Sequence, residues 1–410
     1  MSVPSESKTA PIPGLDREWP NASSQLRICS RCIYDETVSN ISFDLQGVCN
    51  YCHQVDALAK QYGTGTSEGR AKLDAIITQM KQAGRGRRYD CVVGVSGGTD
   101  SSYLLARCVE WGLRPLAVHY DNTWNSAIAT ENIRKITSAL GVDLSTYVMD
   151  NREADDIFRA FFLASVPEFD APTDIGFAQV LRSTASKHGI RYILEGHSFT
   201  AEGVSPLGSN YFDGKYIADI HRRFGRMRMR TFPNMPFGQF MKWTLLKRLK
   251  FIRPLWYLEY SKADARAFLE SQFGWQYYGG HHLENRSAAF AHNVYLPQKF
   301  GLDFRNWSIA AAVRSGITDR DEGIAEYFTH RPLPDPQLIA YFKKRTGFND
   351  TEFTTVMTGP AKSFRDYKTY KRRFERMRPL FKVLADANIV PRSFYLKYCF
   401  PLPSSPSVPA

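Results

Sequence analysis

The sequence predicts an α/β protein built on a parallel sheet, with a cysteine-bearing segment before it and a mainly helical region after it. Three observations carry this. Short apolar runs alternate with helix-length amphipathic stretches from Tyr89 to about Leu255, the signature of strand–helix–strand units and a sheet covered on both faces. Four of the seven cysteines crowd together near the N-terminus, as Cys29, Cys32, Cys49 and Cys52. After about residue 260 the strand signal fades, and helical periodicity continues to about Lys397.

The elements follow in order. Residues 1–24 are rich in Ser and Pro and read as a flexible N-terminus. Residues 25–58 hold Cys29-x2-Cys32, sixteen intervening residues, and Cys49-x2-Cys52. That is zinc-ribbon spacing: each knuckle supplies two thiolates, and four thiolates close a tetrahedron with no open position, so the metal is structural. A disulfide pair or an iron–sulfur cluster is the alternative. Residues 59–88 form a linker with a helix over Ala71–Gln82.

Residues 89–260 form the sheet domain. Strands are predicted at Tyr89–Val95, Pro115–His119, Ser145–Met149, Tyr192–Glu195 and Phe251–Leu255. Helices are predicted at Ser101–Trp111, Ser126–Leu140, Asp155–Leu163 and Asp174–Lys187. Residues 261–400 form the helical region, opening on Ser261, which caps a helix with Asp264 three residues on. Residues 401–410 read as a second flexible tail. No internal repeat is present.

The charge balance is 53 Lys plus Arg against 41 Asp plus Glu, a net +12. A basic chain favours anionic partners such as nucleotides, nucleotide sugars or nucleic acid, without choosing among them. No stretch approaches the roughly 18 uninterrupted apolar residues of a membrane span. The N-terminal MSVPSESKTAPIPG lacks the apolar core of a signal peptide. The expected location is therefore the cytoplasm, where thiols stay reduced.

The sharpest local signal is CVVGVSGGTDSSYLL, where a buried-looking run breaks into Ser96, Gly97, Gly98, Thr99, Asp100 and Ser101 before a helix begins. Backbone N–H groups at a helix N-terminus carry partial positive charge. Gly97 and Gly98 let the main chain approach an anion, and the hydroxyls add donors. Asp100 would repel phosphate unless Mg2+ bridged the two. There is no Walker A lysine and no G-x-G-x-x-G. The segment resembles the SGGxDS loop of the PP-loop ATP pyrophosphatases, whose fold is adenine nucleotide alpha hydrolase-like. In those enzymes the loop holds the pyrophosphate leaving ATP.

Two further segments belong at the same sheet edge. HYDNTWNS follows the second strand and LEGHSFTAEG the fourth. Asp121, Asn122, Trp124, Asn125 and Gly196 are candidates to line the nucleotide site, and Glu202 to bind metal or substrate. Helix caps and loop polar residues are the plainer alternative for each. HRRFGRMRMR packs Arg222, Arg223, Arg226, Arg228 and Arg230 into one decapeptide, a cationic face suited to phosphate or carboxylate, or simply a solvated surface. FGWQYYGGHHLENR sets Gly279, Gly280, His281, His282, Glu284 and Arg286 behind an aromatic run. It reads as a substrate-binding turn or as core packing.

The zinc ribbon, SGGTDS, DNTWNSAIATENI, IRPLWYLEY, FGWQYYGGHHLENR and YLPQKFGLDFRNW occur in this order. Together they resemble the N-acetyl sugar amidotransferases, PP-loop enzymes of bacterial surface-glycan (O-antigen, lipopolysaccharide) biosynthesis. The resemblance covers most of residues 25–330 and little of the last 80. It implies ATP-dependent conversion of a sugar acetamido group to an acetamidino group. The implied cofactors are ATP, Mg2+ at Asp100 and structural Zn2+ on the four cysteines. Catalytic roles are implied for Asp100, Ser96 and Ser101, and substrate contacts for Glu202, Arg223, Arg226 and residues 279–286. No cysteine sits in a glutaminase setting, so the resemblance also implies a glutaminase partner and a cyclase-like subunit that channels ammonia. The runner-up is a PP-loop tRNA-modifying enzyme of thiolation type, favoured by charge and ribbon. It lacks a second Cys-x-x-Cys pair near the ATP site, so a nucleic-acid partner is not expected. A non-catalytic ribbon adaptor is the third reading.

Overall fold

The computed structural model describes residues 26–204, 211–279, 283–329, 334–387, 389–390 and 392–400. The two tails predicted to be flexible, 1–24 and 401–410, lie outside the described residues.

Five parallel strands form the sheet: β1 (Cys91–Gly94), β2 (Pro115–Asp121), β3 (Leu144–Val148), β4 (Tyr192–Leu194) and β5 (Lys250–Ile252). Their spatial order is β3-β2-β1-β4-β5. The central β1 is buried along its whole length, as its unbroken apolar run demands. The edge strand β3 leaves Leu144, Tyr147 and Val148 exposed. Strand order reverses between β1 and β4, and open α/β sheets take ligands in the crevice beyond the strand ends at such a point. The loops leaving β1 and β4 are those of SGGTDS and EGHSFTAE.

Before the sheet come α1 (Asn50–Tyr62) and α2 (Ser67–Ala83). Within it lie α3 (Thr99–Glu110), α4 (Ala127–Leu140), α5 (Asn151–Ala164), α6 (Ala171–Lys187), the single turn α7 (Phe199–Glu202), α8 (Gly214–Phe224) and α9 (Phe237–Met241). The helical region comprises α10 (Lys262–Phe273), α11 (Arg286–Phe290), α12 (Arg305–Arg314), α13 (Arg320–Thr329), α14 (Pro336–Thr346), α15 (Asp350–Thr358), α16 (Lys371–Arg376), α17 (Arg378–Asp386) and α18 (Arg392–Cys399). A π-helical stretch, Ala291–Phe300, continues α11 and contains Pro297. Local capping agrees with the sequence: the Ser126 and Ser261 hydroxyls accept from Ala129 N and Asp264 N.

The main core covers one face of the sheet, on Val92, Leu116, Val118, Tyr120 and Ile193, where α5, α6 and α8 meet the helical region. It is unusually aromatic. Phe162, Phe169, Phe290, Phe342 and Phe353 pack on one another, and Phe290 stacks on Phe342 at 3.8 Å. A second core under α3 and α4 joins Leu73, Ile77 and Met80 of α2 to β1. The cysteine segment packs with Ile309, Ala310 and Val313 of α12. No described helix is long and apolar enough to cross a membrane.

Candidate active site

At the C-terminal end of β1 the chain turns through Ser96–Gly98 into α3. The turn is stitched by hydroxyls: Gly98 N donates to Ser96 Oγ at 3.2 Å, Ser96 N to Ser101 Oγ at 3.3 Å, and Ser101 Oγ to Gly98 O at 3.3 Å. Gly97 holds φ +81°, where an L side chain is strained. A Cβ there would lie 2.2 Å from Ala129 O. The Gly97 carbonyl accepts from Trp275 Nε1 at 3.1 Å and Asn132 Nδ2 at 3.4 Å. This turn leaves the first amides of α3 without intrahelical partners, on residues that line the crevice.

That crevice is a cavity of about 460 Å3. Ser96, Gly98, Thr99, Asp100 and Ser101 form one wall, and Gly196, His197 and Glu202 another. Tyr277, Tyr278, Glu284 and Ser308 come from the helical region. Gly196 serves close approach, since a Cβ there would lie 2.9 Å from Asp100 O and Ser101 N.

The charged centre is a trio. Lys262 Nζ lies 3.1 Å from Asp100 Oδ2 and 3.4 Å from Glu202 Oε1. Tyr260 OH donates to the other Asp100 oxygen. Burial, and then the Glu202 charge, push the Asp100 carboxyl up to about 6 against the pull of Lys262. His197 Nδ1 accepts from Trp256 Nε1 at 3.2 Å, so the neutral ring carries its proton on Nε2, 4.0 Å from Glu202 Oε2. Burial holds this imidazole below its usual value.

Several residues read from the sequence stand elsewhere. Trp124 does not line the cavity: it is fully buried, 5.2 Å from Phe158 and 5.5 Å from Tyr341, with the Arg345 guanidinium 4.4 Å over its ring. Asn122 is buried, donating to Thr173 Oγ1 and accepting from Asn285 Nδ2. Asp121 accepts from Thr123 N and Asn125 Nδ2, outside the cavity wall. Gly97 is likewise behind the wall. Arg223 pairs with Asp219, and the Arg226 amide donates to Asp156, on the α5–α8 side. The carboxylate of Glu153 ties down the amides of Arg230, Thr231 and Phe232. The arginine run is therefore a buttressed loop and not part of the cavity. Arg286 lays its guanidinium 4.5 Å over Tyr341. Gly279 takes φ +97° and is exposed. Gly280, His281 and His282 lie outside the described residues.

Two motifs that stand far apart in the sequence are one assembly. Asn285 Nδ2 donates to Asn122 Oδ1 at 2.9 Å and Asn125 Oδ1 at 3.0 Å, Ser126 N to Glu284 O at 2.8 Å, and Arg286 N to Trp124 O at 2.8 Å. This pairing of DNTWNS with LENR carries Glu284 to the cavity. Lys262, Tyr260, His197 and Tyr278 are site residues that sequence reasoning misses. The one available signal is Lys262 following a predicted cap residue, which says nothing about its facing Asp100.

Behind the site, the four cysteine sulfurs lie within 4.8 Å of one another and are buried. Separations are 3.9 Å for Cys29–Cys52, 3.8 Å for Cys32–Cys49 and 3.6 Å for Cys49–Cys52. A tetrahedral metal at about 2.3 Å from each sulfur requires roughly 3.8 Å between sulfurs. Amides of Cys32 and Tyr34 donate to knuckle sulfurs. The donor set fits a four-thiolate ion.

Residues 284–380 match the family model described as LPS biosynthesis protein WbpG-like, C-terminal domain. The match covers about a quarter of the chain, within the helical region. The matched stretch begins at Glu284 in the cavity wall and runs to α17. The helices beyond residue 330 thus belong to the family signal, contrary to the expectation that they contribute little. Among solved structures, the chain is similar to an NH3-dependent NAD synthetase from Campylobacter jejuni subsp. jejuni NCTC 11168 in complex with the nitrate ion. That similarity is 15% identity over 71% of this chain and 97% of that one, with a TM-score of 0.29. No curated protein matches the chain.

Proposed function

We propose that the protein is an ATP-dependent amidotransferase that turns an acetamido group of a nucleotide-activated sugar into an acetamidino group. The observation that carries this is the cavity at the switch point, which the first residues of α3 and the Asp100–Lys262–Glu202 trio line together. An amide carbon is a poor electrophile and its oxygen a poor leaving group. Transfer of AMP to that oxygen forms an O-adenylyl imidate and releases pyrophosphate. Ammonia then adds to the imidate carbon, the C–O bond breaks with AMP leaving, and an amidine remains.

The residues take distinct parts. The amides of Thr99, Asp100 and Ser101, with the Ser96 and Ser101 hydroxyls, hold the departing pyrophosphate. Lys262 offers its ammonium to the same phosphates. Asp100 and Glu202, two carboxylates already sharing one cation, are the pair that would hold Mg2+, which supplies charge neutralisation on the phosphates. His197 Nε2–H is a fixed donor beside them. Glu284 and Tyr278 close the cavity from the WbpG-like side, where the sugar nucleotide enters. The cysteine cluster is a structural zinc site. Ammonia comes from a separate glutaminase through a cyclase-like subunit. The matched family description supports a product destined for lipopolysaccharide, made in a cytoplasmic step on the nucleotide sugar.

The test is incubation of the purified chain with ATP, Mg2+, ammonium and N-acetylated nucleotide sugars. Formation of AMP, pyrophosphate and an amidine is expected. Absence of product with glutaminase and channelling partners also supplied rejects the reading.

A further inference from the structure

The cysteine cluster is not an isolated staple. Arg314, the last residue of α12, reaches into it, with Nε 3.3 Å from Cys52 Sγ and Nη2 3.2 Å from Cys32 Sγ. Its guanidinium centre lies 4.4 Å over the Tyr34 ring, and Arg320 at the start of α13 donates to Cys29 O at 2.7 Å. Neutral thiols are weak acceptors, whereas four thiolates on a divalent ion carry a net double negative charge. A half-buried guanidinium fork on two sulfurs suits the second state.

The same helix reaches the nucleotide cavity. Ser308, two turns before Arg314, lines it. Ser315 Oγ, one residue past Arg314, donates to Thr200 O of α7 at 2.8 Å. Trp307 O sits so close to Gly203 that a Cβ there would lie 3.0 Å away. The turn α7 ends on Glu202, the carboxylate that shares Lys262 with Asp100. At 1.5 Å per residue, α12 spans roughly 15 Å, one rigid strut from sulfurs to carboxylate.

We propose that Arg314 is a positioning residue that latches α12 to the loaded metal–thiolate cluster and thereby holds α7, and with it Glu202, in the nucleotide cavity. The inference rests on reading the cysteines as a metal centre and the cavity as the ATP site. It assigns the ribbon a part in setting that site's geometry.

The test uses the full chain with its zinc. Zinc release to a chromogenic chelator, hydrogen exchange of residues 198–203 and pyrophosphate affinity are measured for wild type, Arg314→Met and Arg314→Lys. Arg314→Met should release zinc roughly 10–100-fold faster, the usual cost of losing a partner of a metal ligand. Exchange in α7 should rise and pyrophosphate bind more weakly, while exchange in β1 and β4 stays unchanged. Lys, which keeps the charge but not the fork, should fall between. Stripping zinc from the wild type should loosen α7 in the same way, which keeps the test open if Arg314→Met does not fold. Wild-type zinc release in Arg314→Met, zinc loss without any change in α7, or wild-type protein without zinc would each overturn the proposal. These readouts need no turnover, so a failure to make amidine leaves them standing and speaks only against the proposed reaction.

Discussion

The two glycines of the phosphate loop should fail in opposite ways when given a methyl group. At Gly97 the backbone sits at φ +81°, and a Cβ would come within 2.2 Å of Ala129 O, 2.8 Å of Ala129 C and 2.9 Å of Ala129 Cα. All three atoms are main chain of α4, so no side chain can swing aside. Left-handed strain costs about 1–2 kcal/mol, and forcing the α4 turn away adds about 1–3 kcal/mol. The sum, about 2–5 kcal/mol, lowers the melting temperature by roughly 4–20 °C at about 2–4 °C per kcal/mol. At Gly98 the backbone is ordinary, with φ −75°. There a Cβ meets only side-chain ends, Ser96 Oγ and Tyr278 OH at 3.1 Å and Glu284 Oε1 at 3.5 Å. Gly98→Ala should melt within about 1 kcal/mol of wild type but place its methyl in the phosphate cradle. Calorimetric titration with pyrophosphate and Mg2+ should then show at least a tenfold weaker affinity, about 1.4 kcal/mol. If Gly97→Ala melts like wild type, or Gly98→Ala binds pyrophosphate undiminished, the geometry argued for this loop is wrong.

Other consequences can be checked together. Lys262→Met leaves the Asp100 and Glu202 carboxylates, 17% and 15% exposed, facing each other. Its melting temperature should fall, be partly restored by Mg2+, and show weaker pyrophosphate binding; a variant insensitive to Mg2+ would contradict the trio. Glu168 is buried against Tyr216 OH, and burial raises its carboxyl from 4.5 to about 7. Its folded value lies above its unfolded one, so its contribution to stability falls as pH rises from about 4.5 to 7 and is level beyond, by roughly 3 kcal/mol. Glu168→Gln should abolish that slope in denaturant melts and be the more stable protein at pH 8. Cys29→Ser should lose zinc by atomic absorption and expose the cluster to proteolysis. Arg345→Met removes the pair to Asp155 at 2.6 Å and the cation over Trp124. It should lower stability by about 1–3 kcal/mol while leaving pyrophosphate affinity within twofold.

The sheet is legible in the sequence because its strands are short, buried and separated by capped helices. β1 reads directly as the apolar run before SGGTDS, and Pro115 and Tyr192 open strands where expected. The strand order is not legible, since neighbours in a parallel sheet leave no local trace; the structure supplies it, and with it the switch point between β1 and β4. Trp124 misleads because an aromatic in a polar loop looks like a stacking platform. Its burial depends on Phe158, Tyr341 and Phe342, and two of those lie in the helical region. The arginine run misleads through its period of two. In the structure α8 continues to Phe224, and the acids of α5, some 70 residues earlier, bind the amides that follow. Lys262 is invisible to sequence reasoning because its partners are 162 and 60 residues away along the chain, Asp100 at 3.1 Å and Glu202 at 3.4 Å in space.

The central claim is that this cavity holds the β- and γ-phosphates of ATP as pyrophosphate while AMP is transferred. The most direct measurement follows labelled ATP in the presence of Mg2+, ammonium and the nucleotide sugar, resolving the products by anion exchange. The account predicts AMP and pyrophosphate in equal amounts, dependent on the sugar and lost in Gly98→Ala. ADP and inorganic phosphate as the products, or AMP released at the same rate without the sugar, would contradict it.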